Sequence, residues 1–319
     1  MDFFAELQRL REISPVPGIM TTRSENCDYS PYHANGRNCY RIVGHNLCED
    51  CFYGLWLGDS RDCADSDFTE KSELCYECVD CREVYSCNFC QDCINCSDCE
   101  HCYDCKGVQN CYGCVNLRNK QFHIFNKPYS KEEYFSKVKA FRRSYPHNPP
   151  PEFIKLKNEL PHNYLQGFQN ENVVGDHVFH SKNVFYCFDV NELEDSMYIF
   201  NGYKVKDVVD CNYTGQGSEM NYMCHSAVTL FNSNFCSICW YCQNLEYCEY
   251  MFNSHDCFGC VGRNHAEYEI LNKKYSKEEY FKELARIKAE LKRNGSYGKW
   301  DHTQITLNKR LTDILSIES

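Results

Sequence analysis

Cysteine is the residue whose number and spacing could do chemistry in this chain. The stretch "CNFCQDCINCSDCEHCYDC", residues 87–105, has a cysteine at every third position. The C-x2-C spacing is typical of zinc ligands, and thiolates also bind Cu(I). Zinc is therefore the candidate metal, with Cu(I) as the alternative. The candidate ligands are Cys87, Cys90, Cys93, Cys96, Cys99, Cys102 and Cys105.

A second cysteine spacing, of twelve residues, runs through the first half of the chain. Eight cysteines follow it without a break: Cys27, Cys39, Cys51, Cys63, Cys75, Cys87, Cys99 and Cys111. The second half keeps the same spacing at Cys236, Cys248 and Cys260. We interpret these cysteines as a structural ladder, because a fixed period of this kind indicates a repeated structural unit.

The chain is also duplicated on a larger scale. Residues 110–135, "NCYGCVNLRNKQFHIFNKPYSKEEYF", match residues 256–281, "DCFGCVGRNHAEYEILNKKYSKEEYF", without a gap. The offset is 146 residues, and upstream cysteines such as Cys78 and Cys90 fall on Cys224 and Cys236. We call the two halves copy one and copy two.

A repeat of twelve residues is too short for a helical hairpin and suits one turn of a narrow β-solenoid. A turn with four inward positions places an inward residue at every third position. Tyrosines fall mostly between these positions, so Tyr76, Tyr85, Tyr103 and Tyr112 are expected outside. Asn26, Asn38 and Asp50 precede inward cysteines, where Asx residues tolerate a corner. A 24-residue turn built from two units remains an alternative.

Each copy ends in a predicted helix. The motif "YSKEEY" supplies a capping box at Ser130 with Glu133 and again at Ser276 with Glu279. Such a helix would cover the last turn and block edge-to-edge pairing. The predicted organisation is an N-terminal helix or cap (1–23), solenoid one with its capping helix (24–143), a linker (144–169), solenoid two with its capping helix (170–293) and a tail (294–319).

Two resemblances support the mainly β fold. The twelve-residue arithmetic is similar to that of insect antifreeze β-helices, but this chain has no outward threonine ladder. The motifs "SELCYECVDC", "NCYGCVNLRNK" and "FNKPYSKEEYF" resemble a cysteine-rich repeat family of candidate-phylum bacteria. Some members of that family carry a CoA-transferase label, which no motif here supports. The resemblance implies a fold and gives no information about an activity.

The duplication offers a test of what the cysteines do. At five aligned positions copy one has cysteine and copy two has another residue. Copy two has Asn221 for Cys75, Ala227 for Cys81, Ser233 for Cys87, Leu245 for Cys99 and Met251 for Cys105. These replacements are mostly space fillers and not metal ligands, which favours packing, since free cysteine behaves as a small hydrophobe. Metal storage or sensing stays open, and so does a disulfide-stapled extracellular protein.

The remaining sequence features narrow the function class. The net charge of −11 argues against a nucleic-acid or anionic-membrane partner. Neither a signal peptide nor a membrane-spanning apolar run is found, so a cytoplasmic location is expected. No Walker, dinucleotide-binding, H-E-x-x-H or G-x-S-x-G motif is present, so catalysis is not expected. The sequence predicts a non-catalytic scaffold that binds a protein partner or itself through exposed aromatic columns.

Overall fold

The computed structural model describes residues 2–17, 21–30, 33–41, 45–46, 48–50, 60–61, 97–146 and 148–300. The chain divides into two compact units. One combines Met1–Val16 with Asn163–Ser319, and the other is Pro17–His162. The described residues are mainly β, as predicted, and the described part of each unit includes two helices. The helices are α1 (Phe3–Ile13), α2 (Lys131–Ser144), α3 (Pro151–Glu159) and α4 (Lys277–Arg293).

In the described residues, the strands of copy one form three sheets and those of copy two form one. The strands of copy one are β1 (Thr21–Thr22), β2 (His33–Ala34), β3 (His45–Asn46), β4 (Cys48–Glu49), β5 (Ser60–Arg61), β6 (Ser97–Glu100), β7 (Gln109–Tyr112), β8 (Gln121–Ile124) and β9 (Lys127–Pro128). Those of copy two are β10 (Gly167–Phe168), β11 (Glu171–Phe179), β12 (Lys182–Phe231), β13 (Asn234–Glu246), β14 (Glu249–Phe252), β15 (His255–Phe258), β16 (Val261–Asn264), β17 (Glu267–Ile270) and β18 (Lys273–Lys274).

Parallel pairing joins residues twelve apart in both copies. Cys99 pairs with Cys111 in copy one, and Cys224 pairs with Cys236 in copy two. The pair His33 and His45 shows the same offset near the start of copy one. We call each twelve-residue segment a rung. The described pairings therefore support a repeat of twelve residues over one of 24, with single-residue slips such as that between Val174 and Gly175.

The backbone bends at every third residue. The 50 residues of β12 would extend over roughly 160 Å if straight, at about 3.3 Å per residue. Instead, a left-handed residue with positive φ recurs at every third position from Asn183 to Tyr213. Asn26, Asn38 and Asp50 are such corners, with φ of 53°, 52° and 56°, so the predicted Asx corners are confirmed there.

Amide side chains stack along these corners. The Nδ2 group of Asn26 donates to Oδ1 of Asn38 at 2.8 Å, and Nδ2 of Asn38 donates to Oδ1 of Asp50 at 2.7 Å. Copy two repeats the arrangement at Asn232 and Asn244 with 2.8 Å. These bonds offset part of the cost of a left-handed non-glycine backbone, because Asn and Asp adopt it most readily.

Residues just after the corners point inward and form the core of each copy. In copy one Cys99, Cys102, Cys105 and Val108 are all buried, as predicted. The interior of copy two mixes cysteines with aliphatic residues, including Val184, Cys187, Val190, Leu193 and Ile199. The core of each copy therefore consists of the side chains that lie inside the rungs.

Each copy ends in the predicted helix. Both capping boxes are formed, at Ser130 with Glu133 and at Ser276 with Glu279. Helix α2 buries Tyr134 and Val138, and α4 buries Tyr280, Ile287 and Leu291. An antiparallel pair precedes each helix, β8 with β9 and β17 with β18, and ends the parallel stacking.

The N-terminal helix α1 lies on copy two. Phe3, Leu7 and Leu10 are buried in a cluster that includes Phe258 and Ile287. Tyr297 and Trp300, just after α4, pack against the same cluster. The amide of Gly298 also donates to the hydroxyl of Tyr247 at 2.6 Å. The sequence predicted a helix at 1–23, but nothing in it indicated this location.

One outward prediction was wrong. Tyr112 is fully buried, although it lies outside the rung next to the inward Cys111. Its ring stacks on Phe141 of α2 at 5.5 Å, because the capping helix covers this part of copy one. Tyr103 is half-buried, and Tyr76 and Tyr85 lie outside the described residues. Among the helices of the described residues, none has the length and apolarity needed to cross a membrane.

Candidate functional site: the thiol ladder and the aromatic face

The structure describes three of the seven candidate metal ligands. Cys99, Cys102 and Cys105 are buried, with at most 1% of their surface exposed. The other four, Cys87, Cys90, Cys93 and Cys96, lie outside the described residues, as do the ladder members Cys51, Cys63 and Cys75. The remaining ladder positions are described. Cys27 is half-buried, and Cys39, Cys111, Cys236, Cys248 and Cys260 are buried.

Most of the described inward thiols contact the same backbone group. The thiol donates to the carbonyl oxygen two residues earlier, just before the left-handed corner. Cys248 Sγ lies 3.3 Å from the Glu246 oxygen, Cys239 Sγ lies 3.4 Å from that of Ser237, and Cys187 Sγ lies 3.4 Å from that of Phe185. That carbonyl also accepts a backbone amide, as Glu246 does from Gly259 at 2.8 Å, so the inward thiol adds a second donor at the corner.

Thiols also connect successive rungs. The sulfur of Cys248 accepts from the amide of Cys260, and that of Cys260 accepts from the amide of Asn272, both at 3.4 Å. Serine makes the same two bonds at inward positions. Ser254 Oγ donates to the Phe252 carbonyl at 2.7 Å and accepts from the Ala266 amide at 3.0 Å. Thiol and hydroxyl are therefore interchangeable parts of one backbone-supporting arrangement.

Copy two shows which side chains the inward positions accept. Asn221, Ala227, Ser233, Leu245 and Met251 stand where copy one has cysteine, and all five are at most 2% exposed. The two polar ones are hydrogen-bonded: Asn221 Nδ2 donates to the Leu230 carbonyl at 2.8 Å, and Ser233 Oγ donates to that of Phe231 at 2.9 Å. An inward position therefore requires a side chain that fits the space, and it does not require sulfur.

The thiols of copy one also contact one another. Hydrogen bonds with Cys105, Cys114 and Cys99, together with burial, raise the pKa of Cys102 well above its ordinary value. Hydrogen bonds with Cys114 and Cys99 lower the pKa of Cys111.

Neither metal nor disulfide chemistry follows from the described geometry. In the described part of the chain, no three Cys, His, Asp or Glu side chains form a group that could hold a metal ion. All nine cysteines of copy two are described and are unbridged: Cys187, Cys211, Cys224, Cys236, Cys239, Cys242, Cys248, Cys257 and Cys260. The predicted zinc or Cu(I) site at Cys87–Cys105 stays a prediction, since most of it lies outside the described residues.

Exposed aromatic side chains form a second candidate site, on the early rungs of copy two. Tyr186 and Tyr198 lie twelve residues apart and are 56% and 52% exposed. Their rings stack at 5.4 Å with an interplanar angle of 7°. Phe188 and Met197, close by in sequence, are also exposed. We call these four residues the aromatic face.

Ion pairs that were not predicted from the sequence join each capping helix to the strands of its copy. Arg142 of α2 pairs with Glu100, and its Nε lies 2.7 Å from the carboxylate. In copy two Lys288 of α4 pairs with Glu246. The offset of 146 relates both partners, so the duplicated sequence carried a signal for this contact.

Comparisons with known proteins assign no family. No family model matches the chain, and no curated protein matches it. Among solved structures, a proposed acetyltransferase from Desulfovibrio desulfuricans G20 is 10% identical, with coverage of 89% of this chain and 82% of that one and a TM-score of 0.13. UDP-N-acetylglucosamine O-acyltransferase from Moraxella catarrhalis RH4 is 11% identical, with coverage of 93% and 86% and a TM-score of 0.12. TM-scores this low support no assignment of fold or activity.

Proposed function

We propose that this chain is a non-catalytic binding scaffold made of two narrow β-solenoids. The parallel offset of twelve residues and the burial of every third side chain support a solenoid in the described residues of each copy. In this proposal the cysteines pack the interior and supply hydrogen bonds to the corners. The surface is then left for recognition.

The aromatic face carries the binding part of the proposal. Exposed tyrosine and phenylalanine are enriched at protein interfaces, and large exposed aromatic groups are unusual on a surface that stays in water. The rings of Tyr186 and Tyr198 already stack on each other at 5.4 Å, so less conformational entropy is lost when a partner covers them. The partner that we propose is a second molecule of this protein.

The experiment is a comparison of self-association between variants. Wild-type protein should show a concentration-dependent rise in mass by sedimentation velocity. The double variant Tyr186→Ser/Tyr198→Ser should remain at the mass of one chain. Tyr164→Ser is the matched control, because Tyr164 is 84% exposed and lies outside the aromatic face. A wild-type protein that stays monomeric at its highest soluble concentration would contradict the proposal.

Metal analysis decides the role of the thiol ladder. Protein purified under reducing conditions without chelator should contain much less than one zinc or copper per chain. Several bound metal atoms, lost in the variant Cys99→Ser/Cys102→Ser/Cys105→Ser, would favour metal storage or sensing. Cys239→Ser in copy two is the control, since it lies outside the candidate ligands.

A further inference from the structure

The duplication extends to the helices that precede the strands. Without a gap and again at an offset of 146, residues 3–17 align with residues 149–163. Helices α1 and α3 are therefore the same element of the repeat, the first helix of each copy. The matched positions are Glu6 with Glu152, Arg9 with Lys155, Leu10 with Leu156, Arg11 with Lys157 and Pro15 with Pro161.

Helix α1, the first element of copy one, lies on copy two. The ring of Phe3 is 5.6 Å from that of Tyr247. The guanidinium of Arg11 pairs with the carboxylate of Glu249 at 2.5 Å, and both side chains are nearly buried. The chain then passes Gly262, where an added Cβ would lie 3.1 Å from the Pro15 carbonyl oxygen.

Helix α3, the first element of copy two, lies on copy one. The ring of Phe153 is 6.3 Å from that of His101. The ammonium of Lys157 is 4.2 Å from the centre of the Tyr103 ring. The side-chain amide of Asn116 donates to the carbonyl of Pro161 at 2.7 Å.

The two helices occupy equivalent sites, α1 on copy two and α3 on copy one. Adding 146 to the three contacted positions of copy one gives the three contacted positions of copy two: His101 with Tyr247, Tyr103 with Glu249 and Asn116 with Gly262. The aligned cations Lys157 and Arg11 meet aligned positions of the two copies. Each helix thus contacts the copy to which its own sequence does not belong, and the exchange is reciprocal.

We propose that these three positions in each copy form a docking face for the first helix of another copy. The exchange of α1 and α3 then holds the two copies together without the peptide link between them. The helix that binds this face is amphipathic. It has apolar residues at the positions of Leu7 and Leu10, a cation at the position of Arg11 and a proline four residues later. This inference concerns a different surface from the aromatic face and does not depend on it.

The test is cleavage of the chain between α2 and α3. A protease site inserted after Pro146 would separate residues 1–146 from residues 147–319. We expect the cleaved halves of the otherwise wild-type chain to co-elute as a one-to-one complex. The variant Leu7→Asp/Leu10→Asp should weaken this complex at least tenfold, and the addition of Phe153→Asp should release the halves.

A matched control separates docking from helix content. The variant Ala5→Asp/Ile13→Asp also adds two charges to α1, but at exposed positions, and should leave the halves associated. Circular dichroism of each released half checks that it stays folded. Separation of the wild-type halves on cleavage would overturn the proposal, and so would equal behaviour of the buried and exposed double variants.

If the docking variants prevent folding, a peptide gives an independent measurement. A labelled peptide of residues 1–17 should bind the chain from which residues 2–16 are deleted, with one peptide per chain. The peptide with Arg11→Glu should bind at least tenfold more weakly, because it faces Glu249. Equal binding by the two peptides would contradict the site.

Discussion

At the scale of single residues, the inward thiol is a hydrogen-bond donor as much as a filler. Cys248 donates to the carbonyl of Glu246 and lies 3.5 Å from that of Cys257, while its sulfur accepts from the amide of Cys260. Valine fills a similar volume at other positions but makes none of these hydrogen bonds. Cysteine and serine are therefore the small side chains that fit inside a rung and also support its corners.

Substitution of Cys248 tests this interpretation. Cys248→Ser keeps the donor and the acceptor, as Ser254 does natively, and should cost less than about 1 kcal/mol of unfolding free energy. Cys248→Ala loses both and leaves a small cavity, so about 2 kcal/mol is expected. Urea unfolding under reducing conditions measures the difference. If alanine were as stable as serine, the hydrogen bonds would contribute nothing.

Buried thiols also predict how stability depends on pH. Burial raises the pKa of Cys187 to about 11 and that of Cys242 to about 12, from an ordinary value of 9.0. The folded state keeps protons that the unfolded state loses above about pH 9, so the contribution to stability is complete below that pH. It should decline as the pH rises from about 9 towards 11.

The urea midpoint measured as a function of pH checks this prediction. Cys187→Val should show a shallower decline, because valine does not titrate and already fills inward positions such as Val184. A stability that rises between pH 9 and pH 11, or an unchanged slope in the variant, would refute the assignment.

At the scale of elements, the capping helices protect the ends of the stacks. Ile287 of α4 is buried against copy two, whereas Ala285 on the same helix is exposed. Ile287→Asp places a carboxylate in an apolar cluster and should cost about 3 kcal/mol or more. Ala285→Asp should stay within about 0.5 kcal/mol. Chemical unfolding and light scattering report the loss of stability and any aggregation through the uncovered last rung.

Local patterns in the sequence predicted where helices and inward positions occur, but not which surfaces the helices pack against. The inward positions follow from the period of three, and the helix starts follow from Ser130 and Ser276, because both are local features. The burial of Tyr112 and the docking of α1 depend on which surface a distant helix covers. Local propensity does not determine that choice, so the sequence placed Tyr112 outside and left α1 without a partner.

At the scale of the whole molecule, the two units should unfold separately. The cluster beneath α2 contains Val138, and that beneath α4 contains Ile287, in separate units. Repeat proteins are stabilised mainly by neighbouring repeats, so damage should stay local. Val138→Asp should accelerate amide exchange in copy one, and Ile287→Asp should accelerate it in copy two. Exchange measured on peptides by mass spectrometry checks this, and uniform acceleration by either variant would contradict it.

The pairing of each rung with only its neighbours has a mechanical consequence. If copy two were pulled from its two ends, the load would fall on one rung-to-rung interface at a time and not on all of them together. The rungs would then detach singly, each releasing roughly 40 Å of chain for its twelve residues. Copy two would extend at low force in a regular series of equal steps, and helix α4, which covers its last rung, would set the force needed to detach that rung.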